Sequence, residues 1–217
     1  IIFLSLPKTI YFNFKAFRIK TALYLPVFVK YNVKINEIHK GNVELKDWDN
    51  SHYRIKYGIG GSKHICPNKY SFISIGKKGK IIFNGKGEFA EGCSIRCDYG
   101  KLTFGKNVSL NRNCCINCEY EITFGDNVLF GWNINVRDTD GHSITSENGE
   151  KSILQKKVLL GNNIWVCSYC DLLKGCEIGD NSVVAWRSLV LKKFTNTNIL
   201  IGGSPAKIIK ENITWEK

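Results

Sequence analysis

"LGNNIWVCSYCDLLKGCEIGDNSVVAWRSLVL", residues 160–191, repeats itself every six positions. Leu160, Val166, Leu172, Ile178, Val184 and Val190 are all aliphatic and stand six apart. Four places after the first five of these come Ile164, Cys170, Cys176, Ser182 and Ser188, mostly small. One place after them come Gly161, Cys167, Leu173, Gly179 and Ala185. Neither a helix, with a period of about 3.6, nor a simple strand, with about two, accounts for this. A period of six describes a short strand followed by a turn, and three such units close one triangular coil. The aliphatic residue points inward and the small one fits the crowded corner. Gly, Asn and Asp supply turns that need unusual backbone angles. Stacked coils pair each backbone group with the coil above or below, forming a parallel β-helix.

The same phase runs through "FGKNVSLNRNCCIN" from Phe104 and "FGDNVLFGWNINVR" from Phe124. It is less clean around Ile75, Gly76 and Ile81. The repeat therefore covers about residues 70–201, and the predicted class is all-β. The expected organisation is a non-repeat arm over 1–57, a β-helix over 58–201 and a tail over 202–217.

Composition fits one domain with an arm. The chain has 217 residues, 43% of them hydrophobic, enough to bury a core. No apolar run is long enough to span a membrane. The chain opens on Ile1, which leaves any preceding segment open. A net charge of +12 favours an anionic partner: nucleic acid, anionic lipid, a phosphorylated cofactor or an acidic polysaccharide. The basic residues are dispersed, which argues against nucleic acid. Nine cysteines include C-x-x-C pairs in "CCINC" (114–118) and "CSYC" (167–170), a spacing that can bind zinc. Cys114, Cys170 and Cys176 fall on the small corner positions, so they read as core residues of a chain in a reducing cytoplasm, and no metal is expected.

The repeat breaks after "NINVRDTDGHSI" (133–144) and resumes near Val158. The polar stretch 143–157 reads as a loop thrown out from a coil, a common place for function on a rigid scaffold. His142, one of four histidines, stands at its root. A neutral imidazole there could take a proton from an attacking hydroxyl, with Asp140 or Asp138 setting the tautomer. D-T-D-G is also ordinary turn chemistry. A histidine-bound metal is not expected, because His39, His52 and His64 all precede the clear repeat.

The segments "FGDNVLFGWNINVRDTDGHSI", "LLGNNIWV", "GCEIGDNSVVAWRSLVLKK" and "GGSPAKIIKENITW" resemble the hexapeptide-repeat acetyltransferase family. The likeness is greatest to bacterial capsule and polysialic acid O-acetyltransferases, and it runs over about residues 104–215. It implies left-handed coils, acetyl-coenzyme A as co-substrate, a glycan acceptor and a homotrimer with sites between subunits. Residue by residue, it implies that His142 is the catalytic base, that Trp165 lines the reaction site and that Ser168 meets the pantetheine arm. Lys192, Lys207 and Lys210 match basic residues near the cofactor's phosphates. Asn111 and Asn113 match a pair bordering the acceptor pocket. Trp186 departs from the family, which carries a small residue there; its ring either stacks on the cofactor or narrows its groove. Alternatives that stay open are a xenobiotic acetyltransferase, an amino-sugar N-acetyltransferase and a scaffold without chemistry.

Residues 1–36 hold six Lys and Arg, no Asp or Glu, and eight Phe and Tyr. Two readings follow. The aromatics cap the open end of the β-helix, or the segment rests on an anionic membrane at the cytoplasmic face.

Overall fold

The structure is a computed structural model that describes residues 1–62 and 70–216. His64 lies outside the described residues. The chain winds through three parallel sheets in turn, so that strands from successive coils stack in each one. Sheet A runs from β1 (Val27–Val29) to Leu200–Gly203 with Ala206–Lys210 added antiparallel at its end, sheet B from Lys34–Ile35 to Leu189–Val190, and sheet C from Val43–Leu45 to Lys193–Phe194. The described strands complete seven coils around a triangular prism.

The register follows from the six-residue pattern. Leu160 pairs with Ile178, Val166 with Val184 and Leu172 with Val190, each eighteen positions on, so one coil is three repeats. All six aliphatics of residues 160–191 are buried, as are Ile164, Cys170, Cys176, Ser182 and Ser188 at the corners. Burying each aliphatic side chain stabilises the coil by about 1.5–3 kcal/mol. Earlier coils are longer: Phe83 pairs with Phe104 and Phe104 with Phe124. Phenyl rings fill their section, Phe83 and Phe104 stacked with centroids 5.1 Å apart and Phe104 and Phe124 tilted with centroids 5.5 Å apart. Native packing density requires larger side chains where the coil is wider.

The corners between sheets C and A carry turns that end in Asn, four of them G-x-N and the last N-x-N. Asn107, Asn127, Asn163, Asn181 and Asn198 all take positive φ of 54–58°, a conformation Asn tolerates better than most residues. Their amides form ladders, Asn107 to Asn127 at 3.1 Å and Asn163 to Asn181 at 3.0 Å. Gly161 is required by crowding: a Cβ there would lie 2.2 Å from Asp180 Oδ1.

Two boundaries differ from the sequence expectation. Coil structure begins at residue 27, well before 58, because β1 pairs with Ile55–Tyr57. Extra residues in the first corners lengthen that coil and hide the six-residue spacing. At the other end, Ala206–Lys210 turns back antiparallel on Leu200–Gly203, so the expected tail contains a strand.

Two helices precede β1: α1 (Ile2–Ala16) and α2 (Ile19–Ala22). The outer edge of β1 is capped by polar side chains of α1. Val29 N–H donates to Thr9 Oγ1 at 3.0 Å, and that hydroxyl donates to Val29 O at 3.1 Å. Val27 N–H donates to Asn13 Oδ1 at 3.1 Å, and Asn13 Nδ2 donates to Val27 O at 2.7 Å. Tyr31 N–H donates to Ser5 Oγ at 3.1 Å. Of the arm's aromatics, Phe12, Phe17 and Phe28 are buried, while Phe3, Tyr11, Phe14, Tyr24 and Tyr31 are exposed. The edge is therefore closed by hydrogen bonds, and aromatic cover accounts for only part of it.

The expected loop leaves sheet B after Asn135–Arg137 and enters sheet C at Val158–Leu160. Antiparallel bridges Thr139–Gln155 and Thr145–Lys151 shape it as a ribbon, with residues 140–151 exposed.

Candidate active site

His142 stands at the root of this ribbon, on the corner between sheets B and C. The root is tied at several points. Lys156 N–H donates to Asp138 O at 3.0 Å and Asp140 N–H to Leu154 O at 3.1 Å. Lys174, from the next coil, pairs with Asp140 Oδ2 at 2.5 Å and also donates to Ile153 O. One ammonium thus fastens both legs. Asp138 is buried, and its carboxylate accepts from Glu119 N–H at 2.9 Å and Tyr120 N–H at 2.8 Å. Burial pushes the Asp138 carboxyl above its ordinary pKa, against the lowering by those amides. The expected aspartate–histidine pair is therefore corrected: within the described residues neither Asp138 nor Asp140 bonds the His142 ring. Both carboxylates hold the loop, and the imidazole is exposed.

Lys192 lies at the same corner, its Nζ 5.4 Å from the Phe194 ring centroid. With Lys156, Lys157, Lys174, Lys193 and Leu159 it lines a groove. Glu121 pairs with Lys157 at 2.7 Å and Glu177 with Lys193 at 2.8 Å. A basic groove with only partial neutralisation suits an anion.

The other candidates lie elsewhere. Trp165 projects outward from sheet A, 38% exposed, with its ring 6.1 Å from that of Trp215. Trp215 Nε1 donates to Asn163 O at 2.9 Å, which folds the chain's end back against this face. Lys207 and Lys210 are exposed on the last strand of the same sheet. On the corner between sheets A and B, Trp132 and Trp186 occupy equivalent positions two coils apart with Ser168 between them. The serine is small enough for the indoles to meet across it, edge to face at 5.8 Å, and Tyr169 joins at 5.0 Å from Trp186. The Arg187 guanidinium sits 5.6 Å from the Tyr169 ring centroid. Ser168 is buried, and its hydroxyl accepts from Trp132 N–H at 2.9 Å. That bond gives the Ser168 side chain a part in building the corner.

Asn111 and Asn113 sit lower on this corner. Asn111 Oδ1 accepts from Ser62 N–H at 3.1 Å. Asn113 has φ +61° and donates to Asn133 Oδ1 at 3.4 Å. The structure gives both a turn-building role. Lys174, Trp132, Tyr169 and Trp215 were not among the candidates legible in the sequence. Trp132 and Trp186 share a corner position once the coils are aligned, a match found by carrying the repeat across the loop. The pairing of Lys174 with Asp140 leaves no trace in local spacing.

The residues thus fall into two groups. His142, Asp140 and Lys192 occupy the B/C corner. Trp165, Trp186, Ser168, Asn111, Asn113, Lys207 and Lys210 belong to sheet A or its margin. In a triangular prism the B/C corner lies opposite face A. Within one chain, His142 and Trp165 therefore do not share a site.

No protein-family model matches the chain. It is 36% identical over 117 residues to the galactoside O-acetyltransferase of Escherichia coli K12, a match that covers 52% of this chain and 56% of that protein. It is also 36% identical over 124 residues to a polysialic acid O-acetyltransferase of Neisseria meningitidis, covering 57% and 58% respectively. The chain spans a little over half the length of these curated relatives. Among solved structures, the polySia specific acetyltransferase NeuO superposes with a TM-score of 0.67 at 19% identity, covering 87% of this chain and 74% of that one. That likeness carries the fold, a left-handed β-helix. Over its repeat region the chain's homologues are galactoside, polysialic acid and other O-acetyltransferases of the hexapeptide-repeat family.

Proposed function

We propose that the chain transfers an acetyl group from acetyl-coenzyme A to a hydroxyl of a glycan, of the capsular or surface polysaccharide class. His142 takes the acceptor's proton as its oxygen attacks the thioester carbon. The C–S bond breaks, and the imidazolium returns the proton to the departing thiolate. Asp140 is a positioning residue, acting through Lys174 on the loop root. The lysine groove around Lys192 receives phosphate oxygens, with Lys207 and Lys210 supplied from a neighbouring subunit. Trp165 walls the acyl group, and Trp186 borders it. Asn111 and Asn113 shape the acceptor side through the backbone they hold.

The observation that carries this reading is the placement of an exposed imidazole on a tethered loop, opposite the aromatic face. Such a site completes only when a second copy brings its face A to the loop. A closed cyclic trimer supplies that contact three times. The eight described cysteines are free thiols, which suits a reducing cytoplasm. No helix among the described residues is long and apolar enough to cross a membrane.

The test is incubation with acetyl-coenzyme A and a panel of neutral and sialylated glycans, amino sugars and hydroxylated antibiotics, read by mass. A gain of one acetyl on a glycan hydroxyl, lost in His142→Ala with the oligomer intact, is the expected result. Transfer only to an amine or an antibiotic would redirect the acceptor assignment. An unchanged rate in His142→Ala would remove the base.

A further inference from the structure

Helix α1 is built inside out. A surface helix ordinarily turns its apolar stripe to the core and its polar residues to water. Here Ser5, Thr9 and Asn13 are fully buried against β1, alongside Phe12 and Ala16. The opposite face carries Phe3, 92% exposed, with Leu4, Ile10, Tyr11 and Phe14. Ile19 and Leu23, at the two ends of α2, are also exposed.

The direction of that face follows from the hydrogen bonds. Ladder bonds in a β-helix run along its axis, and Thr9 and Asn13 satisfy the outer edge of β1, the first strand of sheet A. Helix α1 therefore lies across the end of the prism, with its apolar face directed outward along the axis. An exposed apolar patch of this kind marks an interaction surface.

Charge selects the partner. The first acidic residue of the chain is Glu37. Lys15, Arg18 and Lys20 flank the apolar face and are exposed, and no ion pair among the described residues involves them. A second copy packed on this face would bring like charges together, with no carboxylate in residues 1–36 to offset them. A bilayer of anionic lipid meets both requirements: aromatic and aliphatic side chains enter at headgroup depth while the basic margin meets lipid phosphates. We propose that this end of the β-helix docks on an anionic membrane surface. The coils then stack away from the bilayer at about 4.8 Å each, which with the roughly 10 Å thickness of α1 sets the fifth-coil loop about 30 Å above it.

Flotation of the full chain with phosphatidylcholine vesicles, with and without phosphatidylserine, tests this. Binding is expected on the anionic vesicles and about tenfold weaker on the neutral ones, with release at high salt. Phe3→Glu/Tyr11→Glu/Phe14→Glu should reduce binding at least about tenfold. Its thermal midpoint should not change, because those side chains are exposed. Lys15→Glu/Lys20→Glu should do the same without touching the apolar face. Equal flotation with both vesicles, no flotation with either, or full binding by the apolar triple variant would overturn the proposal. A triple variant that falls to a smaller oligomer would assign the face to a second copy instead.

Discussion

Two individually impaired subunits should restore each other's activity when assembled together. His142 leaves from the B/C corner and Trp165 stands on the opposite face, so in the proposed trimer each site draws the two from different copies. His142→Ala removes the proposed general base, and the expected loss is about 10²–10⁴-fold. Trp165→Ala removes one aromatic wall, worth about 1.4 kcal/mol, so roughly a tenth of the rate remains. Co-expression of the two variants with different tags gives trimers in which each position is filled at random. A site is intact when one subunit retains His142 and its neighbour retains Trp165, which happens for about one site in three in any trimer that holds both variants. Including the residual rate of sites lacking only the tryptophan, doubly tagged trimers should show roughly 35% of the parent activity, against about 5% for a blend of the two pure variants. Acceptor-dependent release of coenzyme A thiol, measured on trimers purified through both tags, reads the difference. Doubly tagged trimers no more active than the blend would place both side chains in one chain's site and refute the geometric reasoning.

Asn13→Ala should destabilise the fold by about 1–3 kcal/mol, because it leaves the buried Val27 N–H and C=O unpaired. Tyr11→Ala on the opposite side of α1 should change stability by no more than about 0.5 kcal/mol; urea denaturation compares them. Gly161→Ala forces a Cβ to 2.2 Å from Asp180 Oδ1. That oxygen is held by Asn162 N–H at 2.7 Å, so a cost of about 1–3 kcal/mol is expected in the same assay. The Lys46 ammonium, and after it Lys80, hold the Glu44 carboxyl at about 2. A depressed folded value contributes stability that is present above the ordinary carboxylate range and is lost as pH falls toward about 2. Glu44→Gln should therefore be less stable than the parent at neutral pH, with the gap closing near pH 2; a gap that persists in acid would contradict the assignment.

Where the coils are eighteen residues long, the sequence alone determined the inward positions, the small corner residues and the interruption that carries His142. The reason is that every coil repeats the same environment, so local spacing reports tertiary position directly. Elsewhere that link is broken. The first coil, from Val29 to its partner Tyr57, holds extra corner residues that erase the period while leaving the parallel pairing intact. Which side chains meet across coils is also not written in spacing. Lys174 reaches Asp140 from the following coil, Ser168 accepts from Trp132 across thirty-six positions, and the polar side of α1 turns inward because it must satisfy an open strand edge. Axial stacking decided those contacts, and with them the separation of His142 from Trp165 on opposite sides of the prism.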